Sequence, residues 1–117
     1  MLSLSEKDRA NLLAILEAIQ RIDKYVDGLE DAEAFYQDER TFDAALMNFV
    51  VIGETVNKLS EELRGYYSHV PWSKIKDFRN IIAHNYFGVD AEEVWQIIHN
   101  NLPILKGDVQ KILEVSG

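Results

Sequence analysis

FDAALMNFVVIGETVNKLSEEL, residues Phe42 to Leu63, decides the fold class. Its apolar residues Phe42, Ala45, Leu46, Phe49, Ile52, Val56, Leu59 and Leu63 recur mostly at steps of three and four. That is the period of one helix face, not the alternation of a strand. The spacing predicts a long helix opening at Thr41. Val50 and Val51 fall off the stripe, so the apolar surface is wider than one buried face needs. The excess points to a second packing partner, either another core helix or another subunit. Gly53 stands inside this helix, where glycine costs ~1 kcal/mol relative to alanine unless close packing uses the missing side chain. Glu54 follows it in apolar surroundings and needs a cationic partner if buried, with Arg79 the candidate.

The same period extends in both directions. Upstream, Leu12, Ile15, Leu16, Ile19, Ile22, Val26 and Leu29 trace one stripe, with Ser3 and Glu6 as a capping box and Gly28 as the stop. An acidic connector follows, with a short helical turn around Ala34 to Tyr36. Downstream, Gly65 stops the second long helix and Pro71 suits the first turn of a third. That third helix runs from about Trp72 to about His84, burying Trp72, Ile75, Phe78 and Ile82, and Gly88 breaks the chain beyond it. Asp90 with Glu93 caps a fourth helix carrying Val94, Ile97, Ile98, Leu102, Leu105, Val109 and Ile112. Pro103 kinks or restarts it, because an interior proline loses a hydrogen bond and clashes with the preceding turn, at ~3 kcal/mol. Short connections favour antiparallel neighbours, so the expected architecture is an all-α, up-down antiparallel bundle of four to five helices, one domain over residues 1–117.

Composition narrows the function classes. No apolar run approaches the ~18 residues of a membrane span, and MLSLSEKDRANLL lacks the basic start and small-residue cleavage site of a signal peptide. A cytoplasmic protein is the expectation. The absence of cysteine excludes disulfides, thiolate zinc sites and cysteine nucleophiles. A net charge of −8 argues against a surface that attracts nucleic acid everywhere. Yet WSKIKDFRN gathers Lys74, Lys76 and Arg79 against the single Asp77, a basic patch that could guide RNA or simply be a solvated face.

FRNIIAHNY, Phe78 to Tyr86, places arginine, asparagine, histidine and tyrosine at the C-terminal end of the third helix. At ~100° per residue Asn80 and His84 lie about 40° apart, while Arg79 lies about 140° from His84. The polar set therefore wraps the helix end, with Ile81 and Ile82 turned inward between its members. A guanidinium grips two phosphate oxygens as a fork and an imidazole titrates near neutrality. Together they provide charge stabilisation and acid–base chemistry on a phosphodiester. In RNA the 2′-hydroxyl is the nucleophile, so neither metal nor cofactor is required. Asn80 could bind the phosphate, orient His84 or merely cap the helix. On spacing alone, Arg79 and His84 could equally satisfy helix-end carbonyls and pair with acids.

Arg79, four residues, His84, one residue and Tyr86 spell R-x4-H-x-Y, and this resembles the signature of the HepT family in the HEPN superfamily of small all-helical ribonucleases. FDAALMNFVVIGETVNKLSEEL resembles that family's second long helix with its Gly-Glu pair, VPWSKIKDFRN its approach to the active site, and VDAEEVWQIIHNNLPILK its last helix. Thr55 stands where alanine is expected. The resemblance implies the toxin of a toxin–antitoxin pair: a homodimeric, metal-independent RNA endonuclease with the motifs of both subunits facing one cleft. It makes Arg79 and His84 catalytic. It also implies a minimal nucleotidyltransferase (MNT) antitoxin that transfers AMP to Tyr86. The alternative is a catalytically silent helical module that only serves as partner or substrate of a nucleotidyltransferase. Lys74 and Lys76 are candidate RNA contacts, whereas His69 and His99 are expected outside the chemistry and Trp72 and Trp95 in packing.

Overall fold

The computed structural model describes residues 2–116. Helix α1 spans Glu6–Val26, α2 Ala32–Gln37, α3 Glu39–Lys58, α4 Glu61–Tyr66, α5 Trp72–His84, α6 Ala91–Gln96 and α7 Leu102–Ser116. A 3-10 turn covers Tyr86–Gly88, and a π turn, Ile97–Asn101, joins α6 to α7. Among the described residues there is no strand, so the all-α expectation holds. None of the described helices is long and apolar enough to cross a membrane.

The periodic residues make the core. Leu12, Ile15, Ile19 and Ile22 of α1 meet Leu46, Ile52 and Val56 of α3, and all are at most 1% exposed. Each such side chain contributes roughly 1.5–3 kcal/mol by leaving water. Helix α3 is central, packed on α1 at one side and α5 at the other, while α7 closes on α1 and α2 pairs with α6. Phe35, fully buried in α2, stacks near Phe42 and Trp95 and anchors the short helices to the bundle.

Helix starts follow local chemistry more closely than the broad pattern implied. Ser5, rather than Ser3, caps α1 by accepting from the Asp8 N–H at 3.0 Å. Asp8 turns inward, 5% exposed, and accepts from the Ser60 N–H at 2.9 Å and the Ser60 hydroxyl at 2.5 Å. The start of α1 is thereby tied to the start of α4. This explains why the long second helix stops at Lys58 instead of reaching Leu63. Leu59 is extended, and Ser60 caps a separate helix by accepting from the Leu63 N–H. Leu63 remains fully buried, but on α4, and Gly65 lies inside that helix rather than ending the previous one. Helix α3 begins two residues before Thr41 because Asp38 caps it. Asp90 caps α6 through the Glu92 N–H, so the expected box with Glu93 does not form.

Two further expectations change. Ile75 and Phe78 are half-buried, not fully buried, and Ile81 is 54% exposed rather than turned inward with Ile82. Pro103 sits two residues after the π turn, next to Leu102, whose N–H reaches back five residues to the Ile97 carbonyl. The wider turn accommodates a residue that cannot donate to His99.

Helix α5 approaches α3 most closely at Gly53, where an added Cβ would collide with the Arg79 Cβ. Gly53→Ala would ordinarily favour a helix by ~1 kcal/mol. Here we expect destabilisation by about 1–3 kcal/mol from overpacking, seen as a lower Tm by circular dichroism. An unchanged or raised Tm would show that the two helices can part at no cost.

Candidate active site

Backbone proximity at Gly53 brings the motif arginine within reach of the next residue on α3. The Arg79 Nη2 forms an ion pair with Glu54 Oε1, while Nη1 donates to Asn80 Oδ1 at 3.1 Å. The Arg79 side chain is 30% exposed and that of Glu54 44%, so solvent screens the pair. Its effect is mainly geometric, because two contacts fix the guanidinium plane. The Arg79 Nε is buried without a hydrogen-bond partner, which leaves the group one unsatisfied donor.

His84 is the last residue of α5 and is exposed, with no side-chain partner among the described residues. Asn85 leaves helical geometry at φ −146°, and its N–H bonds the Ile81 carbonyl to close α5. The chain then folds into the 3-10 turn, whose Tyr86 reaches back across the bundle to donate its hydroxyl to Asp43 on α3. Burial, then this hydrogen bond, then the Asp43 charge push the Tyr86 phenol up to about 12. Tyr86 is therefore a neutral donor throughout the neutral range, although 37% of its surface stays exposed.

Asp43 and Glu54 lie eleven residues apart, three turns of α3, and so share one face within about 20°. Exposed Met47 and Val51 lie between them. One face of α3 thus grips the motif at two points, Glu54 on Arg79 and Asp43 on Tyr86. Sequence reasoning singled out Glu54 but missed Asp43. The three-turn spacing of the two acids was the available signal, masked by the many other acids nearby.

The remaining candidates disperse. Lys74 is exposed and lines a groove of about 350 Å³ with Phe49, Ile52, Ile75, Leu105 and Asp108, a groove that neither Arg79 nor His84 lines. Lys76 is half-buried on α5. His69 faces Asp108 at 3.7 Å. His99 lies with Nδ1 2.8 Å from the Trp95 carbonyl. Trp72 is buried and donates its indole N–H to the Tyr67 carbonyl at 3.1 Å. Among the described residues no three His, Asp or Glu side chains are grouped to hold a metal ion.

What the site offers is a guanidinium held by a carboxylate, an accessible imidazole five residues on at the end of the same helix, and a neutral phenol just beyond it. A helical bundle presenting R-x4-H-x-Y in this way is a domain of the HEPN class. A family model described as "Ribonuclease HepT-like" matches residues 15–112, and the chain belongs to that family. It is 36% identical over 86% of its length to a Methanocaldococcus jannaschii protein named a gamma-glutamylcyclotransferase and, provisionally, an RNase, of which it covers 45%. It is 34% identical over 92% of its length to a second M. jannaschii protein, provisionally named an RNase and 85% covered. It is 29% identical over 84% of its length to the "Probable ribonuclease HepT" of Thermococcus cleftensis, 88% covered. The chain thus spans less than half of the first relative and most of the other two. No solved structure matches it significantly.

Replacing Asp43 with Asn removes the charge and the ionic acceptor but leaves the burial of Tyr86. The Tyr86 titration, followed by ultraviolet difference absorbance or NMR, should therefore fall from about 12 toward the ordinary tyrosine value without fully reaching it. In the wild type the neutral phenol favours the fold at pH below 10, and that contribution is lost as pH rises from 10 through about 12. The variant should lose less over this window. An unmoved titration would remove Asp43 from the account.

Proposed function

We propose that this chain is an RNA endonuclease whose catalytic residues are Arg79 and His84, acting as the toxin of a toxin–antitoxin pair. The observations that carry the reading are a guanidinium fixed on α3 and, five residues on at the end of α5, an exposed imidazole without a side-chain partner among the described residues. The family and the names of its relatives support RNA as substrate. In the reaction the 2′-oxygen attacks the adjacent phosphorus, forming the O2′–P bond as the P–O5′ bond breaks. His84 takes the 2′ proton, the leaving 5′-oxygen gains one, and Arg79 offsets charge on the phosphoryl oxygens. No metal takes part. Asn80 orients Arg79 through its hydrogen bond, and Lys74 and Lys76 lie farther along α5 as outlying contacts for the RNA backbone.

A homodimer completes the site. Exposed Met47 and Val51 on α3 and Ile81 on α5 supply apolar surface beside the motif, and a second copy docked there would bring a second His84 as the acid. Two basic motifs in one cleft would also focus positive potential on a chain of net charge −8. One observation favours the alternative of a silent partner module: Glu54 already occupies Arg79, so a phosphate must share or displace it.

Arg79→Ala and His84→Ala should each lower RNA cleavage by the purified chain by on the order of 10² to 10⁴ while the helical circular dichroism persists. Products should end in 2′,3′-cyclic phosphate or 3′-phosphate and form equally in EDTA. Full activity of the His84 variant, or activity lost to the chelator, would sink the mechanism. No cleavage by the wild type would leave the binding module.

We propose further that an MNT antitoxin silences the site by adenylylating Tyr86. The Tyr86 oxygen would attack the α-phosphorus of ATP and release pyrophosphate, its proton passing to Asp43, and the added AMP would put bulk and negative charge at the end of α5 where His84 stands. With the cognate nucleotidyltransferase and ATP, mass spectrometry should find AMP on Tyr86 and cleavage should fall. Tyr86→Phe should remain a nuclease and escape this control, and AMP on any other residue would refute the assignment.

A further inference from the structure

Phe87 is 100% exposed, the extreme among the large apolar side chains of the described residues. Its backbone is nevertheless firmly placed. Tyr86 on one side is pinned to Asp43, and its ring meets that of Phe87 edge-on at 5.5 Å. On the other side Gly88 lies so close over the Asn85 amide that an added Cβ would collide with it. The Gly88 N–H bonds the Asn85 carbonyl at 3.0 Å and the Val89 N–H the Tyr86 carbonyl at 3.3 Å. A side-chain anchor and two backbone bonds thus hold up a ring that meets only the Tyr86 ring among the described residues. An aromatic left wholly in water on a fixed support forgoes the gain of burial, which is the usual mark of a surface that something else covers.

We infer that Phe87 is a stacking platform for an unpaired base of the RNA whose phosphate lies at Arg79 and His84. This rests on the ribonuclease reading and adds to it a residue that selects single-stranded substrate. Three trans peptide steps separate His84 from Phe87, at most ~11 Å between Cα atoms, so a base attached to a phosphate at the motif can reach the ring. A flat π-face serves every base, and a duplex, with its bases already stacked, has none to offer. The apolar surface suited to a second copy lies elsewhere, at Met47, Val51 and Ile81 on the helix faces, whereas Phe87 projects from the turn beyond the end of α5.

Binding of a fluorescein-labelled, single-stranded 2′-O-methyl RNA, which lacks the nucleophile and cannot be cut, reads the contact directly by anisotropy. Phe87→Ala and Phe87→Leu should each weaken it about tenfold or more, while Phe87→Trp keeps it. On the same backbone without bases all four proteins should bind alike. Leucine matching phenylalanine, or equal losses on the abasic strand, would overturn the stacking role. So would sedimentation showing that Phe87→Ala alone converts a dimer to monomer, which would make the ring a contact between copies. A wild type that binds and cuts RNA alongside an indistinguishable Phe87→Ala overturns this inference alone. A wild type that neither binds nor cuts RNA overturns the ribonuclease reading with it.

Discussion

The contact between Gly53 and Arg79 sets the position of everything beyond it. Because Gly53 has no side chain, α5 can lay its arginine on the backbone of α3, and Glu54 in the next position holds the guanidinium. A side chain at position 53 would lift α5 and move its whole C-terminal end, His84 included. The second grip, Asp43 on Tyr86, acts past that end and fixes where the chain goes after leaving the helix. Between them the two carboxylates of α3 fix both flanks of the R-x4-H-x-Y segment, Glu54 at Arg79 and Asp43 at Tyr86.

The helices were legible because periodicity reports burial, and the stripes of α1, α3 and α7 became the core with few exceptions. The glycine inside α3 was also legible, since an unfavourable residue in a helix needs a packing reason and Arg79 supplies it. Helix ends were less so. The stripe from Val56 to Leu63 continues unbroken in sequence, yet the chain breaks at Leu59 because Ser60 is claimed by Asp8, fifty-two residues away. No local pattern contains that information. Ile81 failed for a related reason: an isoleucine beside the buried Ile82 reads as core, but one position along α5 turns it about 100° away and it stays 54% exposed. In the site, Arg79 with Glu54 followed from the need of an acid in apolar surroundings for a cation, and the pair forms although Glu54 stays 44% exposed, whereas Asp43 depended on where a turn outside any helix would aim a phenol.

Charge is distributed to the same end. The chain is acidic overall, and two of its acids bond polar residues of the motif. The positive potential of Arg79 is thus partly quenched, which lowers its attraction for arbitrary anions.

The π turn between α6 and α7 bears on how the last third of the chain closes the bundle. Val94, Ile98 and Leu102 are spaced by four residues twice over, and each such step overshoots an α-helical turn by about 40°. In a uniform helix the overshoot would accumulate and carry either α6 off α2 or α7 off α1. The extra residue in the turn works as a phase correction, so that one continuous length of backbone keeps two differently aimed faces on two different neighbours. The last helix is therefore best described as two rods welded out of phase. The irregularity at residues 97–101 is what lets the covering of Phe35 at one end and of the α1 core at the other be satisfied together.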